Sequence, residues 1–273
     1  VCFGEMLLRL SPPAGTPLAR ADALDLHVGG AEANVAMALA GMGHPARMVT
    51  ALPPNGLGQR AIAALGEAGV DTRAVVRSAG RMGTYFFEYP SGPIPGRVTY
   101  DREHSSFAQV RPEDLRFDDA LDGAALLHMS GITPALGPNG VALAKAAVDA
   151  ARRREVPICF DGNYRANLWS AWDGDARLIL NDLVSQATIL LGNHRDISLL
   201  LGGGAGGVRP RTPPDRGAAR IRCLSQPGAD RVHRAPCRNG TGPPAGGARR
   251  SPRKLLADRR SAHRADRRSG RHG

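Results

Sequence analysis

The chain has 273 residues, 42% of them hydrophobic, and no apolar run approaches the roughly 20 residues of a membrane-spanning helix, so no membrane partner is expected. Its formal net charge of +11 conceals two unlike parts. Residues 1–201 hold all 12 aromatic residues and 18 Lys and Arg against 21 Asp and Glu, whereas residues 202–273 hold 18 basic residues, 17 of them Arg, against four Asp. The first part reads as a mildly acidic α/β domain. The second has too little apolar surface to offset its ordering entropy, and is expected to be largely disordered.

Residues 1–10, VCFGEMLLRL, read as a first strand. They lack the basic flank and cleavage signal of a secretory leader, and Val1 in place of Met points to residues missing upstream. A Pro/Gly-rich loop covers 11–17. Gly29-Gly30 then introduces a helix in which Val35, Leu39 and Met42 share a face and Gly43 is the stop. Residues 47–52 read as a second strand, 57–68 as a helix and 70–76 as a strand. The runs GTYFFEY (83–89) and GRVTY (96–100) form a hairpin across a turn-forming connection. No helix separates them, so they are expected to lie outside the main sheet.

Residues 124–130 read as another buried strand, and 138–154 as a helix opened by Pro138. Residues 156–160 are a short apolar run of β-favouring types that breaks at Asp161-Gly162-Asn163 into a loop carrying Tyr164, Arg165 and Asn167. A helix over 173–185, a strand over 187–191, Gly192-Asn193 and a helix to about Leu201 complete the pattern. Strand and helix in alternation imply a parallel sheet covered on both faces.

Cys2, Cys159, Cys223 and Cys237 form no close pair and no metal-ligand spacing. Cys159 falls within a strand and reads as a small core residue. Nothing in the cysteine usage points to an oxidising compartment, and a cytoplasmic location is expected.

Several polar groups fall where α/β folds bind ligands, just beyond the carboxyl ends of strands. Gly30 and Asn34 lie at a helix N-terminus, which favours anions and hydroxyls but also suits a plain helix start. Tyr85, Tyr100 and Arg102 lie on or beside the hairpin, as closing groups over a polyhydroxy acid or as exposed strand residues. Arg165 suits a carboxylate fork or a surface ion pair. Asn193 and Asp196 open the last helix, where they fit either an N-cap or the orientation of a metal-bound phosphate.

These residues, in this order, resemble the ribokinase-like (PfkB-type) sugar kinases, and within them the 2-keto-3-deoxygluconate kinase branch. The carriers are GE in VCFGEM, GGAEANVAMALAGMG, GTYFFEY with RVTYDRE, HMSGITPAL, DGNYRANLW, and GN before HRDISLLLG. The resemblance covers about 1–201. It implies a three-layer αβα fold with a mostly parallel central sheet and a small β lid, its strands within about 10–30 and 83–104, and with the C-terminal part of the fold missing. It implies ATP-dependent phosphorylation of the primary hydroxyl of 2-keto-3-deoxygluconate, with Mg²⁺. Gly30 and Asn34 would contact sugar hydroxyls, Tyr85, Tyr100 and Arg102 would line the lid, and Arg165 would meet the acid. Asn193 and Asp196 would occupy the family's Asn-x-x-Glu position on the nucleotide side, Asp shortening the reach of Glu. Homo-oligomerisation through the lid is also implied.

The departure from the family lies after residue 201. The family's Gly-Ala-Gly-Asp-like turn, which supplies the catalytic base and an anion hole, has no counterpart in 202–273. No catalytic residue is therefore assigned, and this chain is expected to be inactive. The swap to Arg, Pro, Gly, Ala, Ser and His, residues of GC-rich codons, is what translation in another frame would give. Two alternatives stand beside this reading: a fructokinase or ribokinase-like enzyme for a neutral sugar, and a remnant whose Arg-rich tail binds nucleic acid non-specifically.

Overall fold

The computed structural model describes residues 1–92 and 95–201. The expectations for 202–273, a disordered tail and a basic arm, lie outside the described residues. Among the described residues, ten strands form two sheets. They are β1 (Cys2–Phe3), β2 (Leu7–Ser11), β3 (Asp25–Gly29), β4 (Met48–Leu52), β5 (Val75–Arg77), β6 (Gly83–Glu88), β7 (Arg97–Asp101), β8 (Leu127–Ser130), β9 (Ile158–Asp161) and β10 (Ile189–Leu191). The eight α-helices are α1 (Ala31–Gly41), α2 (Gly56–Glu67), α3 (Ser106–Gln109), α4 (Phe117–Ala120), α5 (Pro138–Arg153), α6 (Ala166–Trp169), α7 (Ala176–Val184) and α8 (His194–Leu201).

The main sheet has the order β10-β9-β8-β1-β4-β5 and is parallel throughout. Its strands alternate between two cores. Cys2 and Met48 pack with Ala33 and Ala36 of α1 and Ala61 and Leu65 of α2. Phe3 and Val49, one residue on, pack with Leu143 and Ala147 of α5 and Leu180 and Leu183 of α7. Helices therefore cover both faces, giving the three layers expected, and each fully buried Leu or Phe contributes about 2 kcal/mol. The second sheet, β3-β2-β6-β7, contains the anticipated hairpin, with β6 and β7 antiparallel and Tyr85 opposite Tyr100.

Three sequence expectations are corrected. The run 1–10 is two strands: β1 belongs to the main sheet and β2 to the lid. The chain changes sheets at Gly4, where a Cβ would overlap the Glu32 carboxylate. The strand expected over 70–76 is interrupted: Asp71 makes an isolated parallel bridge with Arg47, a turn closed by the Val75 N–H donating to the Thr72 carbonyl follows, and the strand resumes as Val75–Arg77. In α1 the buried positions are Glu32, Ala33 and Ala36; of the expected face, Val35 and Leu39 pack half-buried against the same core, while Met42 just past the helix is 67% exposed.

Candidate active site

From β1 the sheet grows one way through β4 and β5, and the other way through β8, β9 and β10. The reversal lies between β1 and β8, and in open α/β sheets ligands bind beyond the carboxyl ends of the strands at that point. The exits of β1 (Gly4-Glu5) and β8 (Ser130-Gly131) meet the N-terminus of α1 there. Gly30 caps α1 with φ 150°, and a Cβ on it would lie 2.6 Å from the Glu5 carbonyl oxygen. Only glycine permits both that backbone angle and that approach. Asn34, one turn on, is exposed, with its side-chain oxygen beside Gly29.

Beneath this edge lies a buried ionic cluster that sequence reading missed. Arg102 donates from Nε (2.7 Å) and Nη2 to one carboxylate oxygen of Glu5, while the Ser105 hydroxyl donates to the other. Side-chain exposure is 5% for Arg102 and 1% for Glu5. Arg102, expected to line the lid, sits at its base with Nε and Nη2 committed to Glu5, and its Nη1 has no hydrogen-bond partner among the described residues. The guanidinium carbon lies 5.9 Å from the centre of the Tyr100 ring, within range of a cation–π attraction.

The lid carries a cross-strand row. His27 pairs with Arg9, Arg9 with Tyr85, and Tyr85 with Tyr100, so all four project from one face. The two tyrosine rings are 6.0 Å apart. Burial pushes the Tyr85 phenol above its ordinary pKa against the opposing charge of Arg9, so it stays protonated and able to donate near neutral pH.

A second carboxylate, Glu32, stands in the first turn of α1 and is 1% exposed. Burial pushes it up to about 7, while the Ser130 hydroxyl, its own backbone N–H and the Arg102 charge oppose the shift and Asp161 adds to it. Its Oε1 makes no hydrogen bond among the described residues.

The exits of β8, β9 and β10 are locked together through glycine. A Cβ on Gly131 would overlap the Gly162 carbonyl oxygen, and one on Gly162 would lie 2.8 Å from the Asp196 Cβ. Asn163 takes φ 37° and turns the chain toward Tyr164 and Arg165. Arg165 is exposed at the start of α6, its Nη1 resting on the Tyr164 carbonyl at 3.1 Å. Its charge reaches Asp161, whose pKa is raised chiefly by burial, then by Asp196.

Asn193 and Asp196 cap each other. Asn193 Oδ1 accepts from the Asp196 N–H at 3.1 Å, and Asp196 accepts from the N–H groups of Asn193 (3.2 Å) and Tyr164 (3.3 Å). Both Asp196 oxygens thus hold backbone, and the carboxylate is buried. Among the described residues no group of three His, Cys, Asp or Glu side chains could hold a metal ion. Asn193 and Asp196 thus form a reciprocal cap that ties the start of α8 to the exit of β9.

Residues 1–205 match the pfkB family carbohydrate kinases. The chain belongs to that family. Among curated relatives of this pfkB-family chain, the 2-dehydro-3-deoxygalactonokinase of Haloferax volcanii is 35% identical over 201 residues, covering 74% of this chain and 62% of its own length. The crystal structure of 2-dehydro-3-deoxygluconokinase from Thermotoga maritima superposes with TM-score 0.70 at 39% identity, over 77% of this chain and 64% of that one. A sugar kinase from Pyrococcus horikoshii, solved with ATP, shares the fold at TM-score 0.66 and 20% identity, over 73% of this chain and 64% of that one. The chain thus spans about 62% of the length of such curated relatives.

Of the positions expected from sequence, the fold brings Gly30, Asn34, Tyr85, Tyr100 and Arg102 to the β1–β8 edge and the lid, and Arg165 to the exit of β9. Glu5, Glu32, Ser105 and Ser130 were missed as site residues. Glu5 was visible only as half of a resembling dipeptide. Glu32, a charged residue at the start of an alanine-rich helix, was the available signal.

Proposed function

We propose that residues 1–201 form the acceptor-binding side of a sugar-acid kinase, whose substrate is 2-keto-3-deoxygluconate and whose phosphoryl donor is ATP with Mg²⁺. The observation that carries this reading is Arg102, fixed by Glu5 under the Tyr85–Tyr100 pair, with one guanidinium nitrogen unbonded among the described residues. Glu5 balances the Arg102 charge, so what Arg102 offers a ligand is its Nη1 donor. A carboxylate oxygen accepts from that donor more strongly than a neutral hydroxyl does, and the exposed fork of Arg165 offers the acid a second contact.

Phosphoryl transfer depends on positioning and on stabilising charge that develops in the transition state. In this reading, Gly30 and Asn34 orient hydroxyls, the lid phenols donate hydrogen bonds and exclude water, and the arginines fix the acid end. The nucleotide, when bound, supplies the γ-phosphoryl group. The sequence contains no Gly-x-Gly-Asp turn to take the acceptor proton, so this 273-residue chain binds the acid and does not turn it over. A frame change after codon 201 accounts for the Arg-rich end, and sequencing the DNA tests it. Absence of such a turn from both alternative frames would end that explanation.

The function is tested by calorimetric binding of 2-keto-3-deoxygluconate, with fructose as the neutral competitor, and by an ADP-release assay. The expected result is binding of the acid in preference to fructose, without ADP release. Turnover of ATP by the purified chain, or equal affinity for fructose, would overturn it.

A further inference from the structure

Two buried polar atoms at the β1–β8 edge have no hydrogen-bond partner among the described residues: Nη1 of Arg102 and Oε1 of Glu32. Leaving such groups unpaired is costly, more so when charged, so their joint presence at one site calls for an explanation. Glu32 is enclosed. Its carboxylate lies where a Cβ of residue 4 would be, which requires Gly4, and no water-facing surface remains for it to relax into. Four groups reach it by charge or hydrogen bonding: Ser130 from β8, Arg102 from beyond β7, Asp161 from β9 and Cys2 from β1. Arg102 is the only cation among them, and Glu5 already neutralises it. An ionised Glu32 is therefore an excess negative charge in the cluster, and an anionic ligand over Arg102 would add another.

We propose that Glu32 takes up a proton from solvent when a sugar acid binds over Arg102. Its positioning role is to remove the like charge that would otherwise oppose the ligand's carboxylate. This rests on the sugar-acid reading above and deepens it. The bond formed is O–H on the Glu32 carboxylate, and the charge lost there is the charge the ligand brings. Burial already holds Glu32 at about 7, so the site is poised where a nearby second anion changes its protonation. By linkage, acid that favours the protonated form must also tighten binding.

The test is calorimetric titration of the full chain with 2-keto-3-deoxygluconate at about pH 7.5, in buffers of differing ionisation enthalpy, which yields the protons taken up per ligand. Expected is uptake of a fraction of a proton by the parent, none by Glu32→Gln with binding retained, and a parent Kd that weakens toward tenfold per pH unit above about pH 7. If Glu32→Gln fails to fold, the parent's Kd between about pH 6 and 8.5 carries the test. A flat Kd profile, or uptake undiminished in Glu32→Gln, overturns the proposal while leaving the sugar-acid reading intact. Failure of the parent to bind the acid at any pH overturns both.

Discussion

Glu5→Ala should be among the most damaging single substitutions in the domain. The carboxylate accepts from Nε and Nη2 of Arg102 and from the Ser105 hydroxyl, and both partners of the ion pair are almost wholly buried. Truncation leaves a guanidinium with no counter-charge in contact and little access to water. Breaking a buried pair by removing one partner costs about 3–5 kcal/mol, against a total stability on the order of 5–15 kcal/mol for a domain. The unfolding equilibrium should move by about two to four orders of magnitude. Urea unfolding followed by tryptophan fluorescence reads this, since the stacked Trp169 and Trp172 rings (5.6 Å) lie within the main domain. The double variant Glu5→Leu/Arg102→Met removes both charges at similar volume. It should be much more stable than the sum of its two single changes predicts. Loss of less than about 1 kcal/mol in Glu5→Ala, or simple additivity in the double variant, would refute the cluster as a coupled buried pair.

Gly131→Ala should lower stability by about 1–3 kcal/mol, as its Cβ meets the Gly162 carbonyl rather than a movable side chain, and a urea midpoint shift checks it. Glu32 gives a pH signature. Its folded-state value is raised from 4.5 to about 7, so the native chain binds more protons than the unfolded one in that window. Stability should fall by about 3 kcal/mol as pH rises through it and level off above. Asp161, also raised, acts in the same direction, so the diagnostic is the difference between parent and Glu32→Gln, whose melting profile should be flatter. Asp71, held well below the usual carboxylate range chiefly by Arg73, contributes stability that is lost only in more acid solution. The thiols of Cys2 and Cys159 are each pushed up to about 11 by burial, so at about pH 8 neither should react with iodoacetamide until urea is added.

Much of the architecture is local in origin and was legible in the chain. The alternation of short apolar runs with helix-spaced segments announces a parallel sheet between helices, and two β-rich runs with no helix between them announce a hairpin apart from it. The glycines and turn formers at strand ends mark the edge where ligands bind. The resemblance adds the lid and the sugar-side residues, and the fold brings Tyr85 and Tyr100 into register.

What sequence could not decide are the contacts between residues far apart in the chain. Glu5 and Arg102 are 97 positions apart, and no local pattern says whether a strand-end arginine faces a ligand or a buried carboxylate. Whether Asp196 serves a metal or the backbone of Tyr164 depends on how closely three strand exits pack, which is fixed by glycine carbonyls in three dimensions. The division of residues 1–10 between two sheets turns at Gly4, whose missing side chain leaves room for the Glu32 carboxylate. Periodicity reports which face of an element is apolar. The desolvation and pairing that give a charge its role are properties of the assembled neighbourhood, and only the tertiary structure supplies it.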